Sequence, residues 1–170
     1  MNVKLVKLAQ ADLPILTKLL NRPEIAKWLF REDRYRRDWE IGEVLIEAKP
    51  GTETQAFGID YKDEVVGCIA LQDIDPYSRT ATIGNVAAWH PYQAIEAVRE
   101  IVKYGFLSLN LNRIDCRYIE GCKLTPMMLK RIGGGTEEGI LRQVIYQDGE
   151  YKNVHIWSLL RSEWDGSPAT

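Results

Sequence analysis

A strand–helix–strand unit in the middle of the chain constrains the fold more than any other feature. Residues 81–89 form a run of small and apolar residues that predicts a strand, and residues 114–119 predict another. Between them, residues 93–109 repeat apolar side chains at spacings of three and four, which predicts an amphipathic helix. Two strands joined by a helical crossover normally pair in parallel. The sequence therefore predicts an α/β fold with a parallel strand pair near its centre.

The segments on either side of this unit predict short helices and antiparallel strands. Asp12 followed by Pro14 is typical of a helix start, and Pro23 and Asp38 indicate the starts of two further helices. Thr125 before Pro126 predicts the N-cap of a fourth short helix, which extends to residue 132. The strands predicted by period-two alternation are residues 3–8, 55–61, 65–74, 139–147 and 151–160, the last two joined by an Asp-Gly turn.

Composition limits the class of protein. A chain of 170 residues fits one core, so we expect a single domain over residues 1–164 with a tail at 165–170. No apolar run is long enough for a membrane span and the first residues do not resemble a signal peptide, so we expect a cytoplasmic protein without a membrane partner. A net charge of -2 gives no basic excess for nucleic acid. Three cysteines and two separated histidines lack metal-site spacing, so no metal is expected.

Four sequence segments, taken in order, resemble one family. They are LNRPEIAKWL, VVGCIALQDIDPYSRTATIG, YGFLSLNLNRIDCRY and EEGILRQVIYQDGEYKNVHIWSLLRSEW. Their order and spacing are similar to those of the GNAT acyltransferases, and within that family to the ribosomal-protein acetyltransferases RimJ and RimL. The resemblance covers nearly the whole chain. It implies a GNAT-like α/β (α+β) fold: a mixed, mostly antiparallel sheet of about seven strands flanked by helices, in which parallel strands four and five splay apart.

The resemblance also implies an activity and a set of site residues. A member of this family moves an acetyl group from acetyl-CoA to an amine, here the amine of a protein N-terminus or of a small molecule. Thr125 is expected near the CoA sulfur, in both a catalytic and a cofactor-binding role. The other expected cofactor-binding residues are Val86, Ala87 and Ala88 beside the pantetheine arm, and Gln93 and Ala94 at the start of the central helix. Small residues are also common in a tightly packed central strand, and Thr125 has the alternative role of helix N-cap.

Several positions depart from the family pattern. The family's phosphate-binding loop carries glycines, which let successive backbone N–H groups point at one anion. Here no glycine stands between Gly84 and Gly105, and only about two residues separate the predicted strand and helix. Cys122 replaces a usual asparagine, Leu129 stands where relatives carry a tyrosine acid, and Thr82 replaces a common glutamate.

Two hypotheses of different kinds follow from this combination. The first is an acetyl-CoA-dependent N-acetyltransferase. The second is a GNAT-fold protein that no longer binds CoA normally and is an interaction or structural component, with an assembly partner or a second copy of itself. For the enzyme, Tyr118 and Glu120, near the end of the fifth strand, are candidates for proton transfer, although such residues are more often packing or surface groups.

Overall fold

The computed structural model describes residues 3–29 and 53–166, and the helix predicted from Asp38 lies outside these ranges. The described chain contains four helices and seven strands, with short 3-10 turns at Gln10–Asp12 and Arg161–Glu163. The elements are β1 Val3–Lys7, α1 Leu13–Leu20, α2 Pro23–Ala26, β2 Gln55–Tyr61, β3 Glu64–Asp75, β4 Thr80–Ala88, α3 Pro91–Leu107, β5 Arg113–Ile119, α4 Leu124–Ile132, β6 Thr136–Gln147 and β7 Glu150–Leu160. No helix in the described ranges is long and apolar enough to cross a membrane.

The seven described strands form one sheet in the order β1-β2-β3-β4-β5-β7-β6. Every neighbouring pair is antiparallel except β4 and β5, which are parallel. The connection through α3 accounts for that exception. A crossover helix brings the chain back to the end of the sheet at which β4 began, so β5 runs in the same direction as β4. The predicted mixed sheet with one parallel pair is confirmed.

Helices cover both faces of the sheet. On one face, α1 buries four leucines against Cys68 and Ala87, because Leu13, Leu16, Leu19 and Leu20 follow helical spacing. On the other face, α3 and α4 pack on a larger cluster that includes Ile69, Leu71 and Ile83. Cys68 and Ile69 are adjacent in β3 and belong to different clusters, as expected where successive strand side chains point to opposite faces.

Helix boundaries differ from the sequence prediction in α3 and α4, and α3 also ends at Leu107 rather than residue 109. The central helix α3 begins at Pro91 rather than residue 93, because His90 has extended backbone angles and proline fits the first helical position. The helix α4 begins at Leu124 with Lys123 before it, so the prediction that Thr125 is its N-cap is wrong. A cap is set by backbone angles, and Thr125 already lies inside the first turn.

Candidate functional site

The parallel strands β4 and β5 separate halfway along their length. Their pairing runs from Thr80 opposite Arg113 to Ile83 opposite Cys116, while the strands continue to Ala88 and Ile119. The backbone edge of β4 beyond Ile83 is therefore not paired with β5. This is the splay that the family resemblance implied.

A β-bulge accompanies the separation. Ala70 lies opposite Gly84 and Cys68 opposite Ala87, so β4 has one residue more than β3 between these pairs. Asn85 lies in the bulge and has a φ of 52°, in the left-handed region that asparagine tolerates better than most residues. Bulges bend a strand and increase its twist. The bulge is therefore the local reason why β4 turns away from β5.

A cavity of about 680 Å³ opens where the two strands separate. The α3/α4 face contributes Ala94, Cys122 and Thr125 to its lining, whereas α2 and β6 contribute Ile25 and Leu141 from the opposite face. The cavity consequently reaches both faces of the sheet. A pocket of this size, lined mostly by apolar residues together with some polar and charged ones, is typical of a small-molecule or cofactor site.

Five of the six expected cofactor residues line this cavity. They are Val86, Ala87, Ala88, Ala94 and Thr125. Gln93 is not among the lining residues; it is 2% exposed, and its side-chain Oε1 accepts a hydrogen bond of 3.0 Å from the His90 backbone N–H. The structure thus brings the β4 edge and α4 together around one space, although their roles toward a cofactor stay predictions.

The N-terminus of α3 has little free hydrogen-bonding capacity. Pro91 has no N–H, and the N–H groups of Gln93 and Ala94 both donate to the His90 carbonyl, at 3.0 and 3.5 Å. The rings of His90 and Tyr92 stack with centroids 5.7 Å apart. Only two residues, Trp89 and His90, separate β4 from α3. The predicted short connection without glycine is confirmed, and a phosphate would meet fewer free amides there than at an open helix N-terminus.

Thr125 and two cysteines lie together on the α4 side of the cavity. The Cys122 Sγ is 3.4 Å from the Thr125 Oγ1. Burial, with smaller contributions from Cys122 and Asp115, raises the pKa of the Cys116 thiol to about 12. A thiol with so high a pKa is protonated at neutral pH and is a poor nucleophile. Cys116 is therefore a packing residue, and the Thr125 hydroxyl is the polar group available at this wall.

Tyr118, Glu137 and His155 form a hydrogen-bonded cluster across β5, β6 and β7. The Tyr118 hydroxyl donates to Glu137 Oε2 at 2.8 Å, and His155 Nδ1 lies 3.2 Å from Glu137 Oε1. The rings of Tyr118 and His155 stack at 4.9 Å. Burial is the main cause that raises the pKa of Tyr118, and its hydrogen bond to Glu137 is the second. The same hydrogen bond is the main cause that lowers the pKa of Glu137.

The two candidates for proton transfer therefore have different surroundings. Tyr118 lines the cavity as a neutral phenol beside an ionised carboxylate. Glu120 is exposed, is not a lining residue, and accepts a hydrogen bond of 3.0 Å from Asn153 Nδ2. Sequence reasoning did not find Glu137, which is distant from Tyr118 along the chain and reaches it only through the strand order β5-β7-β6.

The family is settled by comparison with known proteins. The model of the acetyltransferase (GNAT) domain matches residues 2–121, which is more than two thirds of the chain. The chain belongs to the GNAT acetyltransferases. This GNAT protein is 30% identical over 171 residues to "Uncharacterized N-acetyltransferase p20" of Bacillus licheniformis, covering 94% of the chain and 93% of that relative.

A second relative and a solved structure are also similar to it. It is 30% identical over 159 residues to "Putative ribosomal N-acetyltransferase YdaF" of Bacillus subtilis (strain 168), covering 86% of the chain and 83% of the relative. This agrees with the resemblance to the RimJ/RimL branch. The solved structure of spermidine N-acetyltransferase from Vibrio cholerae with CoA and spermine has a TM-score of 0.81 at 22% identity, covering 95% and 96% of the two chains, and shows a shared fold.

Proposed function

We propose that this GNAT protein transfers the acetyl group of acetyl-CoA to a primary amine. The observation that carries the proposal is the unpaired β4 edge at Val86–Ala88, which borders a cavity that reaches both faces of the sheet. An arm of pantetheine needs backbone hydrogen-bonding groups in an extended slot, and an unpaired strand edge supplies them. The acceptor amine then has its own approach from the opposite face.

The reaction needs little beyond positioning and proton transfer. The neutral amine attacks the thioester carbonyl carbon, a C–N bond forms, the C–S bond breaks, and the amine proton leaves while CoA departs as a thiolate. The β4 edge from Val86 to Ala88 would hold the pantetheine arm, and the first turn of α3 would face the pyrophosphate. Thr125, on the α4 wall, is proposed as the hydrogen-bond donor to the departing sulfur.

A second candidate function is an interaction protein that has kept the fold without normal CoA binding. The first turn of α3 favours it, because Pro91 lacks an N–H and Gln93 and Ala94 already donate to His90. Such a turn stabilises a pyrophosphate less than a glycine-rich loop with several free amides does. Its partner would be another protein or a second copy of the chain.

Calorimetric titration with acetyl-CoA up to millimolar concentration separates the two candidates. The enzyme requires saturable binding, which Ala88→Trp should abolish because a large side chain at the β4 edge enters the cavity. The matched control is Ala11→Trp, at an exposed alanine that does not line the cavity. Absence of saturable binding to the wild-type protein, or equal affinity in the Ala88 variant, would contradict the proposed cofactor site.

A further inference from the structure

The half of the cavity on the α1/α2 face has apolar walls. The α2 segment and the residues after it contribute Ile25 and Leu29, which pack against the α1 cluster, and β6 contributes Leu141 and Val144. Leu141 is 37% exposed and Val144 is 54% exposed, so these side chains are open to a ligand. The expected cofactor residues line the β4 edge and the opposite face. The apolar half is therefore the part of the cavity that remains for the acceptor.

Two arginines and two acidic residues line the cavity within the described ranges, so their formal charges cancel. Arg22 donates a hydrogen bond from Nε to Glu24 Oε1 at 2.7 Å, so the charges of these two side chains are paired. The Arg22 guanidinium also lies over the Trp89 ring, 4.9 Å from its centroid. Asp73 and Arg117 also line the cavity, and neither side chain has a hydrogen bond or ion pair with a described residue. Among the described residues, the cavity thus offers one unpaired carboxylate and one unpaired guanidinium.

The backbone at Asp73 is held in an uncommon conformation. Its φ is 51°, within the irregular stretch where β3 and β4 lose register between Gln72 and Asp75. A left-handed conformation is unfavourable for an ordinary residue, although aspartate tolerates it better than most. Such conformations concentrate at ligand sites, where the surrounding structure imposes them. The carboxylate is exposed at the cavity wall rather than used in a turn or cap.

We propose that the acceptor is a primary amine on an uncharged, apolar carrier, and that Asp73 is the residue that receives its ammonium group before transfer. This inference rests on the proposed acetyl transfer and adds the chemistry of the acceptor. One carboxylate matches one ammonium, and the walls from α2 and β6 accept an apolar neighbour of the amine. A polyamine fits poorly, because its further ammonium groups would lie against apolar side chains or approach Arg117.

The proposal therefore separates this protein from a polyamine enzyme of the same fold. The spermidine N-acetyltransferase from Vibrio cholerae has nearly the same architecture, but a shared fold does not imply a shared substrate. The carrier of the amine has two chemical sources, a peptide N-terminus with an apolar first residue or a small apolar amine. Both share the single ammonium and the adjacent apolar group, so both belong in the test.

The test compares acceptors at saturating acetyl-CoA, with the acetylated product measured by chromatography. The acceptors are phenylethylamine, a tripeptide amide with leucine first, and spermine. We expect kcat/KM for the better of the first two to exceed that for spermine by about tenfold or more. The faster of the two identifies the source of the amine. Spermine as the best acceptor would overturn the inference.

Three variants test the role of Asp73. Asp73→Asn keeps a side chain that tolerates the left-handed backbone and removes the charge, so KM for the single amines should rise about tenfold with kcat nearly unchanged. The matched control is Asp63→Asn, at an exposed aspartate with a φ of 63° in the β2–β3 turn, which should leave KM unchanged. Val144→Asp, which adds a carboxylate to the exposed wall, should shift the preference toward spermine. Equal KM values in Asp73→Asn and Asp63→Asn would refute the assignment.

Binding of the acceptors without acetyl-CoA, measured by ligand-observed NMR, distinguishes this inference from the proposed function. A protein that binds phenylethylamine or the peptide in preference to spermine, with a loss in Asp73→Asn, supports the acceptor site even if acetyl-CoA fails to bind. In that case the proposed transfer alone is refuted. Preference for spermine in both binding and turnover would refute the acceptor inference and leave the transferase intact.

Discussion

Gly67 is the position where one added methyl group should damage the candidate site most. It is buried in β3 and pairs with Ala88 of β4. A Cβ built there would lie 2.2 Å from the Ala87 carbonyl oxygen and 2.9 Å from the Ala88 Cα. Both neighbours are backbone atoms, so rotation of a side chain cannot relieve the contact. The β4 edge that borders the cavity must move instead.

The size of the effect follows from that geometry. Overpacking in a tightly packed region costs about 1–3 kcal/mol, and a backbone clash belongs at the upper end. Alanine in place of glycine restores roughly 0.4–1 kcal/mol by restricting the unfolded chain. We therefore expect Gly67→Ala to lower the free energy of unfolding by about 2 kcal/mol, which for a domain of this size is about 4–8 °C in Tm.

Urea denaturation followed by circular dichroism measures the stability, and acetyl-CoA titration measures the site. Displacement of the Val86–Ala88 edge should also weaken acetyl-CoA binding by about tenfold, because ligand contacts there depend on sub-ångström positions. The control is Gly58→Ala in β2, where the added Cβ would meet side-chain atoms, Leu8 Cδ2 at 3.0 Å and Val6 Cγ2 at 3.1 Å. These can rotate, so we expect less than about 1 kcal/mol. If Gly67→Ala proves as stable as Gly58→Ala, close approach of β3 and β4 is not the constraint proposed here.

Two further substitutions test the site and the sheet. Thr125→Val removes the proposed donor to the departing sulfur, so kcat should fall about a hundredfold while urea stability stays close to wild type. An unchanged kcat would contradict the proposed donor role and indicate that Thr125 is a packing residue. Glu138→Gln tests the ion pair between Glu138 and Arg113. Hydrogen bonds from Arg113 are the main cause that lowers the pKa of Glu138 to about 2. Because that pKa lies below the ordinary value of 4.5, the carboxylate stabilises the fold above about pH 4.5 and loses this effect as the pH falls toward 2. The stability difference between wild type and variant in urea should therefore be largest near pH 6 and vanish near pH 2; a pH-independent difference would contradict the ion-pair account.

The candidate site was predictable in part because some of its residues are local in sequence. The small residues of β4 and the connection without glycine could be read directly, and the structure places Val86–Ala88 on the cavity and leaves two residues before α3. The start of α4 could not be read in the same way. Thr125 before Pro126 is typical of an N-cap, but the backbone turns helical one residue earlier, at Leu124. Short-range patterns do not fix which of several adjacent residues first takes helical angles.

The sequence by itself determined the order of elements and the parallel pair, because a strand–helix–strand unit has essentially one way to return to its sheet. Only the tertiary structure decided what surrounds the cavity. Asp73, Arg117 and Val144 come from three different strands, and no spacing along the chain predicts that they line one space. Charge pairing is likewise a property of distance in space: the structure pairs Arg113 with Glu138, 25 residues further along the chain, and gives the Asp73 carboxylate no partner among the described residues. The acceptor chemistry therefore depends on contacts that the folded sheet creates.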